Sequence, residues 1–218
     1  MIDNYPDTLA LMEIHDGDAY EVPWGTTRDA YYQASWTPCN AYDGLEDAFP
    51  PSTYESKFLT RQAVTTDVTI DVLVFGSGES RQVWANVCIE PPGAGKTMNV
   101  WMAQLLDHYG PVNFDRNMVR GGSGSTEITL APGECTIVVE DIALDAESQA
   151  SPENIKFFVW AQDTEKVWNS HFMYYNGQWY SAYSSEVYQA GKALAPFEGV
   201  FIDGFESSDS SAWSTALP

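Results

Sequence analysis

The chain has 218 residues, of which 31 are acidic and 10 basic, so its formal net charge is −21. Because phosphate contacts need clustered Lys and Arg side chains, this charge argues against nucleic-acid and anionic-membrane partners. The hydrophobic fraction of 44% predicts a folded core, and no apolar run reaches the roughly 18–20 residues of a membrane span. An acidic surface of this kind is typical of an extracellular or salt-adapted protein.

The first 63 residues show a mixed pattern of short elements. The apolar run Thr8–His15 has the length of a strand, and a helix is predicted to follow, with Thr26 or Thr27 as its N-cap. Pro38 ends this helix, because the residue before a proline avoids the helical region. A short strand then leads into Asp43-Gly44, which is a typical turn dipeptide.

From Thr66 onward, apolar and polar residues alternate with the period of half-buried strands, and turn residues separate the runs. This pattern predicts an antiparallel β-sandwich of immunoglobulin-like type. Asp107–Ser125 is predicted to be an irregular connection, and Gln178–Pro196 a returning helix. The seven predicted strands are Val68–Val74, Val83–Ile89, Met98–Leu105, Glu127–Leu130, Cys135–Ile142, Ile155–Gln162 and Val167–Tyr175.

The run LALMEIHDGDAYEVPWGTTRDAYYQASWTPCNAYDG, residues 9–44, resembles the Omp28-type bacterial thioredoxin-like proteins. The resemblance covers residues 8–63 well and residues 64–175 only by pattern. It implies that Pro38 stands at the family's cis-proline position, with Thr37 before it and Cys39 after it, and that an immunoglobulin-like sandwich follows.

One departure from the family pattern concerns its redox chemistry. Such domains open with W-C-x-x-C, in which a helix N-terminus lowers the pKa of one thiol and the second thiol resolves the mixed disulfide. This sequence has no C-x-x-C. We therefore expect that the first strand and helix of the thioredoxin-like part are missing, together with any leader, and that the chain is not a thiol–disulfide oxidoreductase. A partial sheet would leave an open edge through which the chain could form a homo-oligomer.

The predicted fold class is α+β with mostly β structure. Residues 1–63 form a partial thioredoxin-like segment, residues 64–176 the immunoglobulin-like sandwich, residues 177–199 a returning segment, and residues 200–218 a flexible acidic and Ser-rich tail. The tail composition is typical of a chain end that buries little apolar surface.

The three cysteines have no zinc-site spacing. Cys88 and Cys135 lie on predicted strands and could form a disulfide that bridges the sandwich. Against this bridge, Cys88 falls on the same strand face as Trp84 and Asn86, which is predicted to point outward, whereas Cys135 falls with Ile137 and Val139. Cys39 is interpreted as a passive thiol, with a reactive or intermolecular thiol as the alternative.

The candidate catalytic residues are weak. His15, His108 and His171 lie on separate predicted elements, so their spacing does not support a metal site. Ser123 follows two glycines but lacks the full G-x-S-x-G pattern and the strand–turn–helix context of a nucleophile elbow. We predict neither a cofactor nor a metal. Calcium on the acidic runs around Asp18 and Asp145 is the alternative, although neither run has the ligand spacing of an EF-hand.

Aromatic residues are concentrated in the C-terminal third, where Trp160, Trp168, Tyr174 and Trp179 could form a binding face for a carbohydrate or a protein. Core packing is the alternative interpretation of the same residues. We therefore expect an exported, non-catalytic binding or assembly protein at or outside the cell surface. The alternative is an extracellular hydrolase or metal-assisted enzyme with a site at the junction of the two parts.

Overall fold

The computed structural model describes residues 1, 3–15, 17–33, 41–47, 50–108 and 116–194. The expected cis-proline region, Thr37, Pro38 and Cys39, and the tail 200–218 lie outside the described residues. The helices are α1 (Pro23–Tyr32), α2 (Tyr54–Gln62) and α3 (Ala146–Ala150), with 3₁₀ turns at Pro51–Thr53 and Pro152–Asn154. The strands are β1 (Val68–Phe75), β2 (Ser80–Ile89), β3 (Lys96–Leu106), β4 (Met118–Gly122), β5 (Thr126–Leu130), β6 (Cys135–Ala143), β7 (Ile155–Asp163), β8 (Val167–Tyr175), β9 (Gln178–Ser184) and β10 (Val187–Leu194).

The strands form two facing sheets and a separate hairpin, and every pair of named strands is antiparallel. One sheet has the order β1-β2-β6. The other has the order β10-β7-β3, with β4 and β5 both pairing with β3, and β8 pairs only with β9 among the described strands. This arrangement confirms the predicted mostly β class with antiparallel sheets.

The core lies between the two sheets, as the alternation in the sequence predicts. Every second residue of β2, from Val83 to Ile89, is buried, and these residues pack against Met98 of β3 and Phe157 of β7 in one apolar cluster. Because successive side chains of a strand point to opposite faces, the other residues of β2 face outward.

The five-stranded sheet is buried on its second face as well. There the N-terminal residues Met12 and Ile14, together with Trp24 of α1, cover Ala103 and Phe158. A strand buried on both faces loses its polar alternation, which explains the nearly continuous apolar sequence of β7. The N-terminal segment and α1 therefore form a third layer on the sandwich.

α1 begins at Pro23, before both of the predicted N-cap residues, Thr26 and Thr27. Pro23 occupies its first turn, where the missing N–H costs nothing. The predicted N-caps are wrong, because the hydroxyls of Thr26 and Thr27 donate back to the carbonyls of Val22 and Pro23 inside the helix. The helix ends at Tyr32, and its C-cap residue Gln33 has a left-handed backbone.

Three other predicted elements differ from the structure. Thr8–His15 is not a strand, since it makes one bridge, from Glu13 to Met118, and its apolar side chains pack on the sheet. The described residues up to position 63 form no named strand, so they do not supply the open sheet edge that the sequence predicted. Self-association of the chain stays a prediction. The irregular segment Asp107–Ser125 contains β4, and the helix predicted for Gln178–Pro196 is wrong, because β9 and β10 occupy it.

The Asp43-Gly44 turn fixes where the β8–β9 hairpin leaves the sandwich. Both residues have positive φ angles, and the carbonyl of Gly44 accepts a hydrogen bond from the backbone N–H of Ser185. A Cβ atom at Gly44 would lie 2.0 Å from the carbonyl oxygen of Ser185. Only glycine fits this close backbone approach, which ties the residue after β9 to the turn.

Candidate functional site

The β8–β9 hairpin has a composition unlike the rest of the chain. Residues 167–185 contain no Asp, Glu, Lys or Arg, although 19% of the whole sequence is charged. Tyr, Trp, Ser and Asn dominate the stretch instead. Tyr and Trp offer large contact area at a low cost in conformational entropy, while Ser and Asn offer adaptable hydrogen bonds. This composition is typical of a binding surface rather than of an acidic solvated face.

One face of the hairpin presents a row of aromatic rings to solvent. Trp168 is 53% exposed and Trp179 is 48% exposed. Trp168 lies opposite Tyr183, with ring centroids 5.1 Å apart. Further along the hairpin, the ring of Trp179 lies 4.7 Å from His171 and 5.0 Å from Tyr174. We call these five residues the aromatic face.

The opposite face of the hairpin holds it on the body of the protein. Phe172, Met173 and Ala182 are buried there. The side chain of Asn169 donates to the carbonyl of Leu45 at 3.1 Å, and the backbone N–H of Asp47 donates to the carbonyl of Phe172 at 2.8 Å. A two-stranded hairpin alone is marginally stable in water, so these contacts keep the aromatic face in one orientation.

Two cations lie beside one end of the aromatic face. The Nζ atom of Lys166 is 4.8 Å from the ring centroid of Tyr183 and 4.4 Å from that of Tyr31. The guanidinium of Arg28 lies 4.3 Å from the same Tyr31 ring. Burial raises the pKa of the Tyr31 hydroxyl, which also hydrogen-bonds Ser185, so Tyr31 stays a neutral ring between two cations.

Arg28 itself is 3% exposed and lies in a cage of rings. Its Cζ atom is 4.8 Å from the Trp101 ring centroid and 5.2 Å from that of Trp160. Its Nη2 atom donates to Gln162 Oε1 at 2.5 Å and to the hydroxyl of Tyr32 at 3.1 Å. Aromatic faces attract cations most strongly where water is excluded, which compensates for burial of the guanidinium.

Among the four aromatic residues predicted to form a binding face, three lie exposed on the hairpin. Trp168, Tyr174 and Trp179 are those three, and Tyr183 and His171 join them. Trp160 does not belong to the face. It is 4% exposed, because β7 is covered on that side by α1 and the ring packs edge-on against Trp24. The Asn176-Gly177 dipeptide, with both φ angles positive, is the hairpin signal that would have located β9.

The weak catalytic candidates are dispersed. His15 lies before α1, where its hydrogen bond lowers the pKa of Asp18, His108 follows β3 beside Asp107, and His171 is part of the aromatic face. Ser123 lies between β4 and β5 and donates to the carbonyl of Gly124. Two small cavities have volumes of about 310 and 200 Å³. They are lined by residues of the N-terminal segment, the Asp43 turn, α2, the α2–β1 connection, β3, the β9–β10 connection and β10, and neither is lined by a histidine.

Within the described residues, no group of three or more His, Cys, Asp and Glu side chains could hold a metal ion. In the same part of the chain, no helix is both long and apolar enough to cross a membrane.

Cys88 and Cys135 form a disulfide. It does not bridge the two sheets of the sandwich, as the sequence suggested, because the cysteines lie opposite each other on the neighbouring strands β2 and β6 of one sheet. Their Cα atoms are 4.0 Å apart. The bond lies on the outward face of the three-stranded sheet, since the alternate residues of β2 fill the core.

The comparisons with known proteins show a shared fold. No family model matches the sequence, and neither does any curated protein. The chain is similar to the solved structure of HBP35 of Porphyromonas gingivalis, with a TM-score of 0.60 and 12% identity. The match covers 87% of this chain and 65% of that one, so the chain spans less than two thirds of HBP35.

Two further solved structures are weakly similar. A domain of the outer membrane lipoprotein Omp28 from Porphyromonas gingivalis matches with a TM-score of 0.39 and 12% identity over 61% of this chain and 91% of that one. A beta-glucosidase from Kluyveromyces marxianus matches with a TM-score of 0.28 and 11% identity over 61% of this chain and 14% of that one. These two scores are too low to establish a shared fold. The chain thus has the fold seen in HBP35, and at 12% identity the likeness extends to the fold alone.

Proposed function

We propose that the chain is a non-catalytic binding module of the cell envelope or the extracellular space, and that its ligand is a glycan held on the aromatic face. The single observation that carries this proposal is the exposed row of rings on a hairpin that contains no Asp, Glu, Lys or Arg and whose other side is anchored. Pyranose rings present C–H groups that pack on aromatic faces, and their hydroxyls need neutral donors and acceptors.

The side chains between the rings favour a glycan over a protein partner. Ser170 and Ser181 lie beside the aromatic face, where the Ser170 hydroxyl hydrogen-bonds the His171 ring. Val167 is the one strongly exposed aliphatic residue of the described hairpin. Protein interfaces are enriched in Met and Arg and depleted in Ser. Neutral hydroxyl and amide groups instead match the hydroxyl groups of a sugar.

The disulfide supports the proposed location. Disulfides persist in oxidising compartments and are rare in the cytosol, so the Cys88–Cys135 bond is consistent with export. We also infer a thioredoxin-like origin for residues 8–63. The order of α1 followed by the Asp43-Gly44 turn supports that inference.

The alternative function, an extracellular enzyme, has less support. A general acid–base site needs a titratable group within hydrogen-bond reach of a bound substrate. His15 and His108 contact neighbouring carboxylates, but neither residue lines one of the two cavities. Neither of these two cavities therefore supports a catalytic role for His15 or His108.

Replacement of Trp168 or Trp179 by alanine is expected to weaken glycan binding at least tenfold, which corresponds to about 1.4 kcal/mol. Each substitution removes one exposed ring from the aromatic face and disturbs little else, because about half of each side chain already faces solvent. The measurement is isothermal titration of the full chain with a panel of neutral β-linked hexasaccharides built from glucose, xylose or mannose.

The matched control is Trp84→Ala. Trp84 is also exposed, at 36%, but it lies on the outward face of the three-stranded sheet. We expect this variant to bind like the wild type. Equal losses in the Trp84 and Trp179 variants would contradict the proposal, and so would the absence of binding to every saccharide of the panel.

A further inference from the structure

The cations of this chain divide into two groups. Most of them pair with carboxylates, as expected in a protein with a threefold excess of acids. The cations with a carboxylate partner are Lys57, Arg61, Lys96, Arg116, Arg120 and Lys156. Among the described residues, Arg28, Arg81, Lys166 and Lys192 have no carboxylate within ion-pair distance. Arg81 and Lys192 donate to backbone carbonyls and lie away from the aromatic face. Arg28 and Lys166 both lie against the Tyr31 ring.

The partners of Arg28 are all neutral. Its Nη2 atom donates to an amide and to a phenol, and its buried Nη1 atom has no hydrogen-bond partner in the described part of the chain. The indole Nε1 of Trp101, whose ring lies under the guanidinium, is likewise buried without an acceptor. A buried charge is normally neutralised by a partner. Here rings and neutral groups offset the burial of the guanidinium, and no carboxylate neutralises its positive charge.

Lys166 is a second cation, on the surface, on the same Tyr31 ring as the buried Arg28. The side chain is exposed, and its Nζ atom donates to the backbone carbonyl of Tyr31 at 3.3 Å. The rings of Tyr31 and Tyr183 hold it in place, and Tyr183 in turn packs against Trp168. Lys166 therefore stands at the end of the row of rings, where a ligand stacked on Trp168 would meet it.

The protein around this point is strongly acidic, with a net charge of −21. Such a surface repels a ligand that carries a negative charge on every unit. It tolerates a ligand with a single charge, provided that the charge meets a cation that is not already paired. Lys166, supported by the field of Arg28, is such a cation.

We propose that the glycan bound by the aromatic face carries sparse carboxylates, as in a neutral backbone with occasional uronic acid residues. The carboxylate binds at Lys166 while the neutral sugar next to it stacks on Trp168. This inference rests on the proposed glycan-binding function and adds the charge of the ligand to it. Arg28 is a positioning residue, because it acts through the Tyr31 ring and does not touch the ligand.

The test compares two ligands that differ only in the carboxylate. The first is a xylotetraose with one glucuronic acid branch, and the second is the same saccharide with the carboxyl group reduced to an alcohol. Titration calorimetry is carried out on the full chain at about 20 mM and about 300 mM salt. Because an exposed ion pair contributes modestly, we expect the acidic form to bind about three- to tenfold more tightly at low salt. The preference shrinks at high salt, where charges are screened.

Two variants locate the effect. Lys166→Met removes the charge from an exposed side chain, and we expect it to abolish the preference while leaving binding of the reduced saccharide unchanged. Lys96→Met is the matched control, because Lys96 also lies near a ring but pairs with Asp67. It makes the same change in net charge and should keep the preference.

The outcomes separate this inference from the proposed function. If the two saccharides bind wild type equally, while Trp168→Ala still weakens both, the glycan-binding function stands and the carboxylate preference is refuted. If Lys96→Met abolishes the preference as fully as Lys166→Met, the effect is one of net charge, and the assignment to Lys166 is wrong. If neither saccharide binds, the carboxylate inference fails, and the glycan-binding function is decided by the panel of neutral hexasaccharides.

Discussion

Replacement of Asp107 by alanine is expected to lower the free energy of unfolding by about 3–5 kcal/mol. Asp107 is 4% exposed, at the end of β3. Its carboxylate accepts hydrogen bonds from Arg116 Nε at 2.6 Å and from Lys156 Nζ at 2.6 Å, and also from the backbone N–H of Asn117. Removal of the carboxylate leaves two cations close together in a partly buried place without their counter-charge.

The same carboxylate gives this prediction a pH signature. Burial raises the pKa of Asp107, but the hydrogen bonds and charges of Arg116 and Lys156 outweigh burial and hold it below its ordinary value. A carboxyl group whose pKa is lower in the folded state stabilises the fold above its unfolded pKa of about 4. We therefore expect the difference in stability between wild type and Asp107→Asn to be constant above about pH 5 and to shrink as the pH falls below about 4.

Chemical denaturation of the wild type and of Asp107→Asn between pH 3 and pH 7 measures this difference in the free energy of unfolding. Asp3→Ala is a matched control, because Asp3 pairs with the same Arg116 at 3.0 Å but is almost fully exposed. Exposed ion pairs contribute about 0–1 kcal/mol, so this variant should unfold nearly like the wild type. An Asp107 variant that is no less stable than the Asp3 variant would show that the buried cluster does not stabilise the fold.

Removal of the disulfide is expected to lower the free energy of unfolding by about 2–4 kcal/mol. The bond joins residues that are 47 positions apart, so it closes a long loop and restricts the unfolded chain. It also links β2 to β6 at the end of their pairing, where Cys88 stands opposite Cys135. The double variant Cys88→Ala, Cys135→Ala keeps the core residues of both strands.

Urea denaturation with and without a reductant isolates the effect of the bond. The wild type in reductant should unfold at about the urea concentration of the double variant. The double variant should not respond to reductant. A wild type whose midpoint is the same in both conditions, while its disulfide is shown to be reduced, would mean that the bond contributes nothing to stability.

The sandwich could be predicted from the sequence because its half-buried strands keep a clear period. In β1 and β2 every second residue is apolar, and these residues fill the core. The strand predicted for Thr8–His15 is wrong, because an apolar run can bury its side chains by packing on a sheet without pairing as a strand. Met12 and Ile14 cover the second face of the large sheet, and only Glu13 makes a bridge.

The site was predictable only in part. Trp168, Tyr174 and Trp179 could be chosen as binding residues, but the sequence could not separate them from Trp160, whose burial depends on α1 packing over β7. The lack of charge in residues 167–185 and the Asn176-Gly177 turn were signals that could have located the hairpin. The cage of Arg28 had no such signal, because its rings come from α1, β3 and β7.

The most direct test of the aromatic face follows the indole N–H signals of the eight tryptophans by NMR during titration with a neutral hexasaccharide that binds. We expect the signals of Trp168 and Trp179 to shift with a common saturation curve, while those of Trp84 and of the buried Trp160 stay in place. Shifts confined to tryptophans outside residues 167–185, with Trp168 and Trp179 unmoved, would contradict the assignment of the hairpin as the binding surface.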